Sequence, residues 1–258
     1  MPQMQTSRFH LTNTMQSGQF FRHFPSADGF EVITHGRSFH VQQIGNKLVY
    51  HGTTQKFLRS FLGLTDQDDA ALDALQKDEL IAPLLHMGIR IMRQDPWECT
   101  AAFILSSNSN IKRITRNVED LSRLFGSKID NSEHKTFPRP EKIRGGRKLA
   151  SCKLGYRESY LRAIKSFDLD ADTYAEAMAA LQTYRGIGEK IADCVCLFSL
   201  GHHEAFPVDV WIKKAMHRHF GLPVSAIKSF ARERWGKYAG YAQQYLYHWI
   251  RTSMSRRA

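Results

Sequence analysis

From Phe30 to His51 the chain reads FEVITHGRSFHVQQIGNKLVYH, short β-branched and aromatic runs with partial alternation, broken at Gly36-Arg37 and Gly45-Asn46. Gly-Asn between two such runs is a hairpin signal, so the segment predicts an antiparallel meander. After about residue 54 the spacing turns helical, predicting one helix over 54–64 and a second over 68–85. Asp95-Pro96-Trp97-Glu98 is a helix start. Asp95 can cap, Pro96 suits the first turn, and Glu98 stands three residues after the cap. That helix is expected to run to Leu105, pause at SSNSN and resume to Phe125 before Gly126. Residues 127–150 mix proline, glycine and charge and read as a long connection with some helix. Further helices are expected over about 156–166, 173–183, 189–200, 210–220, 225–234 and 239–251. The pattern defines an α+β chain, mostly α. A small N-terminal antiparallel β-sheet domain with helices occupies residues 1–86, and an all-helical domain occupies 87–258.

Composition narrows the partner more than the fold. The 258 residues can bury a substantial core, and 36 Lys+Arg against 25 Asp+Glu leave a formal charge of +11. Such an excess favours a polyanion, nucleic acid before membrane, although a merely soluble basic protein fits the charge equally well. No stretch approaches the ~18 apolar residues of a transmembrane helix. The N-terminus lacks the apolar core of a secretory signal, which points to an intracellular protein. Four cysteines, at 99, 152, 194 and 196, fit a reduced compartment, and their spacing matches no zinc or iron–sulfur pattern. The twelve histidines are scattered, so no metal site is expected.

The chemistry concentrates in YRGIGEKIADCVC, residues 184–196. Leu181 to Tyr184 closes one helix, Arg185-Gly186-Ile187-Gly188 makes a tight turn, and Glu189 opens another: a helix-hairpin-helix over about 181–200. Glycines let a backbone approach a ligand closely, and the N–H groups of the following helix start favour phosphate. Lys190 stands at the mouth of the second helix, ahead of an apolar run. Nineteen residues on, in AFPVDVWIKKAM, Asp209 is placed to cap the helix beginning at Val210. A capping carboxylate is held rigidly, which suits catalysis as well as capping. A structural Lys190–Asp209 ion pair is the plainer reading of the two residues alone.

GIGEKIADCVCLF followed by AFPVDVW resembles the helix-hairpin-helix signature of the DNA base-excision glycosylases. QSGQFFR, RQDPWECTAAFILSSNSNIKRI, LGYRESYL and WGKYAGYAQ narrow the resemblance to the 8-oxoguanine DNA glycosylases, over nearly the whole chain. The resemblance implies a bifunctional DNA glycosylase and AP lyase acting as a monomer on double-stranded DNA that contains an oxidised purine. Lys190 would attack C1′ of the damaged nucleotide and form a Schiff base, and β-elimination would cut the strand. Asp209 would stabilise positive charge growing on the sugar. A free lysine is neutral only about once in 2500 at pH 7. Apolar neighbours and the positive end of a helix favour the neutral amine, whereas an ionised Asp209 opposes them.

Lys190 and Cys194, and likewise Gln243 and Tyr247, are spaced i, i+4 and so share a helix face. By resemblance, Cys194 and Tyr247 sandwich the extruded base, Gln243 binds its Watson–Crick edge, and the Gly18 carbonyl meets N7. Guanine offers an acceptor at N7 where 8-oxoguanine carries a proton, so that carbonyl would separate the two. The resemblance further assigns Asn108 to the vacated position in the duplex, Arg113 and Arg157 to the orphaned cytosine, and Tyr156 to a wedge. Gly186 and Gly188 would carry the hairpin against the backbone. No cofactor is implied beyond a monovalent cation at the hairpin. Two departures stand out: Tyr247 occupies a position where relatives carry Phe, and Trp211 one where animal relatives carry a phosphate-contacting His. The rival readings are a glycosylase for another damaged purine, such as an alkylated base, and a non-catalytic DNA-binding helix-hairpin-helix module.

Overall fold

The computed structural model describes residues 1–255. In chain order its elements begin with β1 (Gln3–Gln5), α1 (Leu11–Met15), β2 (His23–Pro25), β3 (Phe30–Thr34), β4 (Arg37–Ile44) and β5 (Lys47–His51). Helices α2 (Gln55–Phe61), α3 (Asp66–Leu75), α4 (Pro96–Leu105), α5 (Ile111–Phe125), α6 (Pro140–Arg144) and α7 (Arg157–Ala163) follow. The chain continues through α8 (Tyr174–Gln182), α9 (Glu189–Val195), α10 (Val210–Phe220), α11 (Ile227–Trp235) and α12 (Ala239–Ser255).

The five strands form one antiparallel sheet in the order β1-β5-β4-β3-β2. The meander expected over 30–51 is its centre. Thr34 pairs with Arg37 across His35-Gly36, both at positive φ (49° and 73°), a two-residue turn whose twist matches the flanking strands. The outer strands β1 and β2 are three residues each and were not foreseen; edge strands this short carry too little alternation to read. Val32, Phe39, Val41, Leu48 and Tyr50 turn inward and pack with Leu58 and Phe61 of α2. A second, larger cluster of buried side chains runs from Ala71 through α4, α9 and α12 to Leu246, with Phe21 reaching into it from the N-terminal part.

Three helices depart from the pattern. The helix expected over 68–85 stops at Leu75, and a 3-10 turn follows over Ala82–Met87. The Asp78 carboxylate accepts from the backbone N–H of Leu80 and Ile81 (both 3.0 Å) and from Arg234 and Trp235 (2.8 and 2.9 Å). Those bonds replace a helical turn with a capped corner. After Val195 the helix widens to π geometry over Cys196–Leu200 and ends at Gly201, whose φ is +85°. The helix α12 runs to Ser255, four residues past its expected end.

Candidate active site

The hairpin forms where α8 ends and α9 begins. Gly186 has φ +92°, and a Cβ there would lie 2.4 Å from Cγ of Tyr160, so neither the backbone angle nor the packing admits a side chain. Gly188 differs: its φ is −92°, and a Cβ would meet nothing within 4 Å. The fold does not require glycine there, and its bare backbone faces solvent at the helix start. α9 is gripped from two sides through Asp193, which is fully buried. Tyr174 of α8 donates to one of its oxygens (2.6 Å), and Lys228 of α11 pairs with the other (2.5 Å).

Lys190 opens α9 and faces a cavity of about 810 Å³. Its Nζ donates to Ser106 Oγ at 3.0 Å and lies 5.3 Å from the centre of the Phe103 ring. Phe103 is itself stacked on Phe198, so the amine rests against an apolar wall and its hydrogen-bond partner is a neutral hydroxyl, not a carboxylate. Asp209 is the N-cap of α10, as its position in the sequence suggested; Oδ1 accepts from the N–H of Trp211 (3.0 Å) and Ile212 (2.9 Å). Burial pushes its carboxyl above the ordinary aspartate value, against the pull of those amides and of the Lys190 charge. Both groups line the same cavity.

α9, α12 and the N-terminal part add to its wall. From α9, Cys194 is buried and its thiol is pushed up to about 12 by that burial, so it presents neutral sulfur. From α12 come Gln243 and Tyr247. The Gln243 Nε2 donates to the Pro207 carbonyl (3.2 Å), while its buried Oε1 has no hydrogen-bond partner among the described residues. From the N-terminal part comes Gly18, at φ +83°. Its neighbours fix it: Gln19 donates to Ser17 Oγ and to the Arg90 carbonyl (both 2.8 Å), and Gln244 donates to the Ser17 carbonyl (3.2 Å).

Asn108 also lines the cavity, in the left-handed region (φ +46°) that asparagine tolerates better than most residues. Arg157 holds its loop: Nε donates to the Ser107 carbonyl (2.7 Å), NH2 to that of Asn108 (2.8 Å) and NH1 to that of Leu154 (3.1 Å). Only 3% of Arg157 is exposed, so a nucleotide contact would require the loop to give up some of these bonds. Tyr156 is 47% exposed beside Asn108, whose amide reaches its hydroxyl at 3.4 Å. Arg113 sits in the first turn of α5 and donates to the Lys153 carbonyl (3.4 Å). Arg113, Tyr156, Arg157 and the hairpin glycines lie outside the cavity lining, whereas Gly18, Asn108, Lys190, Cys194, Asp209, Gln243 and Tyr247 are gathered in it. Ser106 and Phe103, the two residues against the Lys190 amine, carry no sequence signal that would have singled them out. Trp211 lines the cavity too, with Lys214 Nζ 5.0 Å above its ring. Among the described residues no three His, Cys, Asp or Glu side chains converge as a metal site, and no helix is long and apolar enough to cross a membrane.

A sheet-backed helical protein with a hairpin beside a cavity that joins a lysine to a helix-capping aspartate defines the helix-hairpin-helix class. The sequence profile described as the 8-oxoguanine DNA glycosylase N-terminal domain matches residues 2–100. The probable N-glycosylase/DNA lyase of Methanothermobacter thermautotrophicus is 32% identical over 64% of this chain and 64% of its own. The chain thus spans just under two thirds of that curated relative. Among solved structures, MBOgg1 in complex with a low-affinity DNA ligand superposes with a TM-score of 0.89 at 28% identity, covering 98% of this chain and 96% of that one. The Clostridium acetobutylicum 8-oxoguanine glycosylase/lyase, in complex with double-stranded DNA containing cytosine opposite 8-oxoguanine, superposes at 0.87 with 27% identity over 96% and 93%. The profile match, the curated relative and both superposed structures agree in likening the chain to the 8-oxoguanine DNA glycosylases.

Proposed function

We propose that this protein is a bifunctional DNA glycosylase and AP lyase that removes 8-oxoguanine, preferably opposite cytosine, from double-stranded DNA. The observation that carries the reading is the shared cavity, in which the Lys190 amine and the Asp209 carboxylate stand together with two faces suited to an aromatic base. The amine lone pair forms a bond to C1′ as the bond from C1′ to the base breaks and the base departs with its electron pair and a proton. Asp209, fixed by two backbone amides, stabilises the positive charge that develops on the sugar. Opening of the sugar ring at the C1′–O4′ bond, with O4′ taking up a proton, gives the Schiff base, and loss of its C2′ proton then expels the 3′ phosphate and cuts the strand. Cys194 and Tyr247 offer a polarisable sulfur and a ring for stacking, and the Gly18 carbonyl accepts from the N7–H that the lesion has and guanine lacks. The names of the relatives above agree with this chemistry, and the net charge of +11 suits a polyanionic substrate.

The test is trapping. Incubated with a duplex carrying 8-oxoguanine opposite cytosine and treated with borohydride, the protein is expected to form a covalent adduct. Lys190→Gln should abolish the adduct while leaving duplex binding intact. Strand cleavage by that variant at the wild-type rate would refute the assignment. Excision of alkylated purines in preference to 8-oxoguanine would favour the rival glycosylase, and binding with neither adduct nor cleavage would favour a non-catalytic module.

A further inference from the structure

Besides Lys190 and Asp209, three charged side chains line the cavity, Lys112, Lys213 and Arg251, and none has a part in the chemistry above. Arg251 lies one turn beyond Tyr247 on α12 and lines the same space. Its NH2 donates to the Gln16 carbonyl at 2.5 Å, two residues from Gly18, and its guanidinium carbon lies 5.4 Å from the centre of the Tyr247 ring. Its charge, with a hydrogen bond to the Tyr247 hydroxyl, partly offsets the burial that pushes that phenol up to about 12. A Cβ built on Gly18 would lie 3.0 Å from Arg251 NH1 and 3.1 Å from the Tyr247 oxygen. The glycine, the guanidinium and the phenol therefore meet at one corner of the cavity.

Oxidation of guanine at C8 changes two adjacent atoms. N7 turns from acceptor to donor, and C8 turns from C–H to a carbonyl. A glycine carbonyl reads only the first change. The second creates an acceptor, and a guanidinium is a fork of donors able to serve several acceptors at once. We propose that Arg251 is a specificity-determining residue, donating a hydrogen bond to the C8 oxygen while the Gly18 carbonyl accepts from N7–H. The inference rests on the reading of this cavity as the pocket for the damaged base. It defines the substrate class as purines with both an N–H at position 7 and a carbonyl at position 8.

The experiment compares the wild-type chain with Arg251→Met and Arg251→Lys on three duplexes: 8-oxoguanine opposite cytosine, 8-thioguanine opposite cytosine, and a preformed abasic site. The thio base keeps N7–H but offers sulfur, a weaker acceptor, in place of oxygen. Arg251→Met is expected to slow single-turnover excision of 8-oxoguanine about 10- to 100-fold, the loss of a hydrogen bond from a charged donor. Excision of the thio base should fall far less, cleavage at the abasic site should be unchanged, and Arg251→Lys should recover part of the loss. Equal losses on both bases would make Arg251 a mere support for Tyr247 and overturn the proposal. No loss on either base, or sharper rejection of guanine by Arg251→Met, would overturn it too. Failure of the pocket reading looks different: the wild-type chain itself would then leave both the 8-oxoguanine and the abasic duplex uncut, and this proposal would fall with it.

Discussion

The two hairpin glycines give the sharpest separation of folding from binding. Alanine at 186 must adopt φ near +92° and put its Cβ 2.4 Å from the Tyr160 ring. The left-handed backbone costs about 1–2 kcal/mol and displacing a packed ring about 1–3 kcal/mol more, so Gly186→Ala is expected to lose about 2–5 kcal/mol. In a chain of this size that corresponds to a fall in Tm of about 5–15 °C. Alanine at 188 keeps an ordinary φ of −92° and meets nothing within 4 Å. Its only cost is the weaker helix-capping preference of alanine, about 0.5–1 kcal/mol. A phosphate approaching the opening amides of α9 would meet that methyl group, and loss of one charge-assisted hydrogen bond weakens binding about tenfold or more. Thermal unfolding of both variants, with anisotropy titrations of an abasic-analogue duplex at fixed salt, measures the two effects separately. Gly188→Ala melting as early as Gly186→Ala would refute the steric argument. Wild-type affinity in Gly188→Ala would refute the phosphate argument.

Other expectations follow from buried polar groups. Asp68 is fully buried, accepts from Tyr241 (2.7 Å) and pairs with His203 (3.3 Å), tying α3 to α12; despite its burial, these partners and Thr65 hold its carboxyl well below the ordinary range. Asp68→Ala should cost about 3–5 kcal/mol in urea denaturation, and a loss under about 1 kcal/mol would contradict the network. Burial lowers His23 and His248 to about 4. The unfolded chain, titrating near 6.5, then binds more protons between the two values, so stability is full above 6.5 and is lost as pH falls toward 4. The loss is at most roughly 3 kcal/mol for each histidine. A melting temperature that stayed level from pH 7 to 4.5 in the wild type would contradict this, and His248→Phe should shrink the drop. Gln243→Leu, which removes an amide from the cavity wall, should reduce excision of 8-oxoguanine while leaving abasic-site cleavage near wild type; equal loss in both assays would indicate a folding defect.

The long periodic segments and the capped helix starts were legible in the chain. Asp95 accepts from the Glu98 N–H at 2.9 Å as the DPWE motif implied, and α10 covers the expected residues. What the sequence withheld was decided by tertiary partners. Nothing in the run after Leu75 announces that Arg234 and Trp235, some 156 residues away, will take the Asp78 carboxylate and end the helix. The site divides in the same way. Spacing alone put Lys190 beside Cys194, and Gln243 beside Tyr247, on shared faces. Only the folded chain brings Gly18 against Tyr247, or Ser106 onto the Lys190 amine. Arg157, read from its motif as a contact for DNA, is turned inward onto three backbone carbonyls.

That inward turn points to a division of labour within the site. Groups that fix the frame are satisfied inside the protein: Arg157 holds the Asn108 loop, and Asp193, between Tyr174 and Lys228, holds the helix that carries Lys190. Gln243 is satisfied on one side only. Its Nε2 is committed to the Pro207 carbonyl, which can only accept, and this fixes the amide with its oxygen as the atom left unpaired. A buried acceptor without a partner costs about 1–3 kcal/mol, a large share of the stability of any domain. It is tolerable where a ligand supplies the missing donor. A guanine-type Watson–Crick edge carries adjacent N–H donors at N1 and N2 that can meet this oxygen, whereas an adenine-type edge has an acceptor at N1 and donates only from its N6 amino group. If the cavity takes the base as proposed, a proline carbonyl on the loop before α10 sets which edge fits it, through the orientation it imposes on a single amide.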